Sequence, residues 1–189
     1  GERTDFNFQG FNFDFINEFM TEERREEVKE ETRSGNQRGP RLRAYTLDEL
    51  VLRTDGGALL VAEQRYIEDF TFPYMDGTMR VDYLYHYNDV VIVNIRPDGS
   101  VEWAARIPKR QVTRNDRGAF SSYAMAIVRD RLFFVFNDNR YNYQGGRRRS
   151  KLYAFHNRTR LMAITEVNKD GNLRTFPLPG GDAAATDTW

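Results

Sequence analysis

The sequence predicts an all-β fold made of four-stranded antiparallel units, and three observations predict it. Residues 89–103, DVVIVNIRPDGSVEW, run an apolar strand into a Pro-Asp-Gly turn and out into a second strand. NIRPDGSV at 94–101 aligns without gaps with EVNKDGNL at 166–173, so the hairpin has an echo. ALLVAEQ at 58–64 aligns in the same way with LFFVFND at 132–138, at nearly the same offset. Asp-Gly between apolar runs is a strong hairpin signal, because the turn needs a positive φ that glycine adopts at little cost.

The elements follow in order. Residues 1–13 alternate phenylalanine with small polar residues, and Phe6, Phe8, Phe11 and Phe13 are expected to anchor an extended segment on the body. Residues 14–33 read as a helix: Ile16, Phe19 and Met20 give two turns an apolar face, and the charged remainder is solvated. The Gly, Ser, Asn and Pro of 34–42 form a linker. A short N-terminal helical arm over 1–42 therefore precedes the β part.

The first unit, 43–111, is expected to contain a strand at 47–52, a turn at Asp55-Gly56-Gly57, a strand at 58–66, a long connection at 67–88, and then the hairpin that Pro108 stops. The second, 118–179, repeats the order. A strand at 122–128 turns at Arg129 and Asp130 into a strand at 132–137. After a loop at 139–149 come strands at 151–155, 161–167 and 172–176. Residues 180–189 are expected to be a flexible or truncated tail. Four antiparallel strands per unit is the content of a propeller blade, so about two blades are visible where closed rings have roughly 4–8. Two blades leave open faces and edges, and the rest is expected from a longer polypeptide or from partner chains. The alternative is a single eight-stranded antiparallel barrel or sandwich.

Composition narrows the function. The 28 basic residues balance 28 acidic ones, which gives no argument for nucleic acid as a partner. With no cysteine, disulfide scaffolds, thiolate zinc sites and cysteine nucleophiles are excluded together. No run approaches the ~18 apolar residues of a membrane helix, so no transmembrane segment is expected. The chain starts at Gly1 without a basic, then apolar leader, and the expectation is a removed targeting segment or an excerpt.

Several stretches carry a family resemblance: TDGGALLVAEQRY at 54–66, YHYNDVVIVNIRPDGSVEWAARIPKRQ at 85–111, GAFSSYAMAIV at 118–128, LFFVFNDN at 132–139 and MAITEVNKDGNL at 162–173. Together they resemble uncharacterised exported, propeller-like proteins of Bacteroidetes bacteria, over most of 11–176. The resemblance implies an exported setting, in the periplasm, on the outer-membrane surface or outside the cell, and it supplies no catalytic residues.

Candidate chemistry is sparse. His86 and His156 are the only histidines, too few for a three-histidine metal site. Asp138, Asn139 and Asn142 offer oxygens of the kind calcium accepts, but their spacing matches no calcium loop, and turn capping is the expected role. Ser121 and Ser122 lack a nucleophile-elbow context. Glu63 and Gln64, at a strand end, are expected to line a central polar channel. No cofactor or metal is expected.

The positional argument is stronger. Both units carry a long connection between their second and third strands, so both should project from one face of the sheet array and form a binding surface. That face would hold Tyr66, Phe72, Tyr74, Tyr83, Tyr85, Arg140, Tyr141, Tyr143 and Arg147, and aromatic rings with arginine are common interface anchors. The functional expectation is a non-enzymatic exported binding or scaffold module, part of a larger propeller or envelope assembly, that engages a protein partner or a glycan. The alternative is a glycan-active hydrolase whose carboxylates are completed by blades outside this chain.

Overall fold

The computed structural model describes residues 45–144 and 151–178. The expected arm, helix and linker of 1–42, the tail of 180–189 and Arg147 lie outside the described residues.

Nine strands form two antiparallel sheets among these residues. The first sheet contains β1 (Tyr45–Leu52), β2 (Ala58–Pro73), β3 (Met79–Ile95) and β4 (Val101–Ile107) in that spatial order, with β5 (Gln111–Arg114) paired to the far half of β3. The second contains β6 (Tyr123–Val128), β7 (Arg131–Asn139), β8 (Arg160–Val167) and β9 (Leu173–Pro177). β1–β4 and β6–β9 are each a meander in which successive strands are neighbours, and Gly56, Gly99 and Gly171 take positive φ in three of the turns and Arg129 in the β6–β7 turn. The sheets do not close on each other, which sets aside the single closed barrel.

Alternation decides what faces inward. Leu59 and Val61 of β2, Val90 and Ile92 of β3 and Ile107 of β4 come from the first sheet. They meet Leu132, Phe134 and Phe136 of β7 with Ala163 and Val167 of β8 in one buried core between the sheets. Trp103 closes the core at the turn end: its Nε1 donates to Lys169 O at 2.8 Å. A side chain at Gly171 would meet the Trp103 ring at 2.8 Å, and φ there is +80°, so glycine is required twice over.

Two segments differ from the sequence expectation. Residues 67–88 are not a connection: β2 and β3 pair from Ala58↔Ile95 through Pro73↔Met79, forming one long hairpin that turns at 74–78. The physical reason is a second Asp-Gly turn, where Asp76 Oδ1 accepts Thr78 N at 2.9 Å and Gly77 takes φ +78°. Residues 151–155 form no strand, because asparagine side chains take up backbone groups a ladder would use. Asn142 Oδ1 accepts Tyr153 N at 2.7 Å, and Asn139 Nδ2 donates to Ala154 O at 2.8 Å.

Candidate functional site

The long β2–β3 hairpin gives the molecule its most unusual surface. β1 pairs only as far as Gln64 of β2, and β5 reaches β3 only as far as Leu84, so beyond those points the two strands have no other strand beside them among the described residues. This two-stranded projection is rich in apolar side chains that face water. Met75 at its tip is fully exposed (101%), Met79 is 63% exposed and Ile67 60%, and Phe70, Val81 and Tyr83 are also exposed.

Residues directly opposite each other in an antiparallel pair share a face. The register therefore puts Ile67, Tyr83 and Tyr85 with Val81 on one face, and Tyr66, Phe70 and Phe72 with Leu84 on the other. The second face carries an open groove of about 340 Å³ lined by Phe70, Phe72, Asp82, Leu84 and Arg114. An Arg114–Asp82 ion pair borders it.

The residues predicted for the binding face thus separate. Tyr66 stacks on His86, ring centroids 4.2 Å apart, and Phe72 lies on the same side. Tyr83 and Tyr85 lie on the opposite side. Tyr74, in the turn, receives the Arg80 guanidinium over its ring at 3.5 Å. Arg140, Tyr141 and Tyr143 belong to a 3-10 turn, Arg140–Tyr143, that follows β7 in the second sheet. Tyr141 is exposed and meets Tyr153 edge-on at 6.0 Å. Tyr143 packs against the core and donates its hydroxyl to Asp138 at 2.8 Å.

The projection is rooted in a buried polar anchor. Lys109 and Glu63, both side chains wholly buried, form an ion pair at 2.6 Å. Lys109 Nζ also donates to Tyr87 O at 2.9 Å and to Gln111 Oε1 at 2.7 Å. The other Glu63 oxygen accepts Arg65 Nε at 2.6 Å and the Ser122 hydroxyl at 2.8 Å. Arg65 continues to Asp48 at 2.5 Å, and Asp48 accepts the Tyr123 hydroxyl at 2.9 Å. Gln111 Nε2 donates to Asn137 O at 2.8 Å. The network joins β1, β2, the 109–111 segment, β6 and β7, and so locks the hairpin root to both sheets. Burial pushes the Lys109 amine down to about 8 against the pull of Glu63, and burial together with the bond to Asp48 raises the Tyr123 phenol. Glu63 lines no channel, because its carboxylate is sealed among its own partners.

The remaining candidates hold local structure. Asp138 accepts Asn142 Nδ2 at 2.6 Å and Asn139 N at 2.8 Å; all three residues are buried, Asn139 caps the 3-10 turn and Asn142 lies within it. No group of three or more histidine, aspartate or glutamate side chains placed to hold a metal ion occurs among the described residues. His156 Nδ1 accepts Arg158 N at 3.2 Å and so caps a second 3-10 turn, Asn157–Thr159. His86 Nε2 lies 3.1 Å from Glu68 Oε2, and burial lowers its pKa.

Sequence reasoning missed Lys109 and Gln111. The available signal was alternation: Trp103, Ala105, Ile107, Lys109 and Gln111 recur at every second position, and the last four are all buried. No protein-family model, curated protein or solved structure matches the chain. No helix among the described residues is long and apolar enough to cross a membrane.

Proposed function

We propose that the chain is a non-enzymatic binding or scaffold module that engages a protein partner through the outer half of the β2–β3 hairpin, within a larger propeller or envelope assembly. One observation carries the reading: the projecting end exposes Ile67, Phe70, Met75, Met79, Val81 and Tyr83, while its root is fixed by buried charge. Removing apolar surface from water contributes roughly 25 cal/mol per Å² before the costs of association are met, and clustered exposed apolar side chains on a monomer mark interaction sites. A two-stranded ribbon is only marginally stable alone, so a covering partner would also order it. Of the groups named from the sequence, Tyr66, Phe72, Tyr83 and Tyr85 lie on this hairpin and Tyr74 at its turn beneath Arg80, whereas Arg140, Tyr141 and Tyr143 belong to the second sheet and take no part. An exported setting is proposed on the family resemblance.

A photo-crosslinking residue placed at Met75 in cells making the chain is expected to trap one defined protein. The same residue at the exposed Lys169 turn is expected to trap none. Equal trapping at the two positions sinks the proposal, and recovery of the chain in the cytoplasmic fraction removes the exported setting.

A further inference from the structure

We infer that a second copy of this chain stacks head-to-tail on the first, laying the outer face of its β1–β4 sheet on the outer face of the β6–β9 sheet. The inference rests on the reading of the chain as part of a larger propeller and names the occupant of its open faces.

The argument begins with which faces meet inside one chain. The first sheet contributes Leu59, Val61, Val90 and Ile92 to the core, and the second contributes Leu132, Phe134, Phe136 and Ala163. Aligning 58–64 with 132–138 makes Leu59 and Val61 the counterparts of Phe133 and Val135. Aligning 94–101 with 166–173 extends back to pair Ile92 with Ile164. Strand alternation points Phe133, Val135 and Ile164 away from the core, on the outer face of the second sheet. Equivalent faces therefore do not meet: the front of one sheet packs on the back of the next.

The equivalent turns also lie at one end. Arg53 of the β1–β2 turn, Arg129 and Asp130 of the β6–β7 turn and Lys169 of the β8–β9 turn line the same cavity of about 460 Å³. The sheets are thus related by a rotation that keeps strand direction, not by the two-fold of a sandwich. Such a contact is heterologous and repeats itself, giving a ring where the rotation closes.

Each sheet then keeps one face of the type the core already uses. On the second sheet Phe133, Val135, Ile164 and Phe176 are only half-buried, in the role Leu59, Val61 and Ile92 play inside. On the first, Val93 is buried beside its cross-strand partner Leu60, Leu60 is half-buried, and Leu50 (56%) and Leu52 (77%) towards the β1 edge are exposed. The surface that continues the existing interface is this chain's own other face. At roughly 4–8 blades per ring, closure takes about two to four copies.

Native mass spectrometry and light scattering of the purified chain test this. The expected result is a closed oligomer of 22.2 kDa units. Leu60→Glu and Ile164→Glu should each give a monomer with an unchanged far-ultraviolet circular dichroism spectrum, and should form a one-to-one heterodimer when mixed, through the intact face on each. If either variant misfolds, Leu50→Glu and Met162→Glu, at positions 56% and 45% exposed, replace them. A monomeric native chain overturns the proposal. So does a single variant that still dimerises alone, or a mixture that stays monomeric. Crosslinking at Met75 is read independently: a monomeric chain that still traps its partner keeps the hairpin reading and loses only the second copy.

Discussion

At one end of the β2–β3 hairpin Val61, Val90 and Ile92 are completely or almost completely buried; at the other, Ile67, Met75 and Met79 stand in water. The same two strands carry both ends, and the backbone ladder continues from Ala58↔Ile95 to Pro73↔Met79 with one register shift between them. What changes is packing. The root is held by a core, by Glu63–Lys109 and by strands on either side, whereas the outer end has pairing alone. Pairing without a packed face is the regime in which a β-ribbon opens locally at small cost. Stability and recognition are thus assigned to different halves of one element.

The largest test of that division is Lys109→Met, which leaves the Glu63 carboxylate buried without its cation. A loss of roughly 3–5 kcal/mol is expected in urea unfolding, and adding Glu63→Gln should recover part of it. Equal stability of the single variant and the native chain would break the contrast. Ile92→Ala, at the root, should cost about 2–5 kcal/mol by the same measurement through lost burial and the cavity left behind.

A pH series sharpens the assignment. Burial holds Lys109 at about 8, below the ordinary 10.5. Between those values the unfolded chain binds more protons than the folded one, so the Lys109 contribution to stability rises with pH across that window and is flat below it. The slope reaches at most about 1.4 kcal/mol per pH unit. It should be absent from Lys109→Met when urea midpoints of the two proteins are compared at each pH. The smallest effect belongs to the outer end: Met79→Ala or Ile67→Ala should change stability by no more than about 0.5 kcal/mol. A loss there as large as at Ile92 would mean that the projecting end is packed like the root.

Much of the fold was legible because strand alternation and Asp-Gly turns are local. The β3–β4, β6–β7 and β8–β9 hairpins lie close to where the sequence puts them, and β1 and the first half of β2 do too. The outer half of the long hairpin was misread although Phe70 and Phe72, and Tyr83, Tyr85 and Tyr87, recur at every second residue. The cause is that both of its faces carry apolar groups, so the polar-to-apolar contrast that marks a half-buried strand is missing. Tyr83 and Tyr85 were recognised as surface anchors, but Met75 and Met79 were not, since exposure of a methionine depends on what fails to pack over it. The buried anchor was harder still. A lysine after a proline reads as solvated, and its partner Glu63 lies 46 positions earlier in the chain, brought close only by sheet pairing.

The seating of Trp103 on the Lys169–Gly171 turn has a spectroscopic consequence. The sequence contains two tryptophans, and the other, Trp189, lies outside the described residues. In a Trp189→Phe background the indole emission comes from one ring, whose Nε1 is hydrogen-bonded across the junction between the sheets. Its wavelength therefore gauges the separation of the two sheets, while circular dichroism follows the strands themselves. A red shift that precedes the loss of strand signal during unfolding would show the sheets parting as intact bodies, and coincident transitions would show that each sheet needs the other to exist.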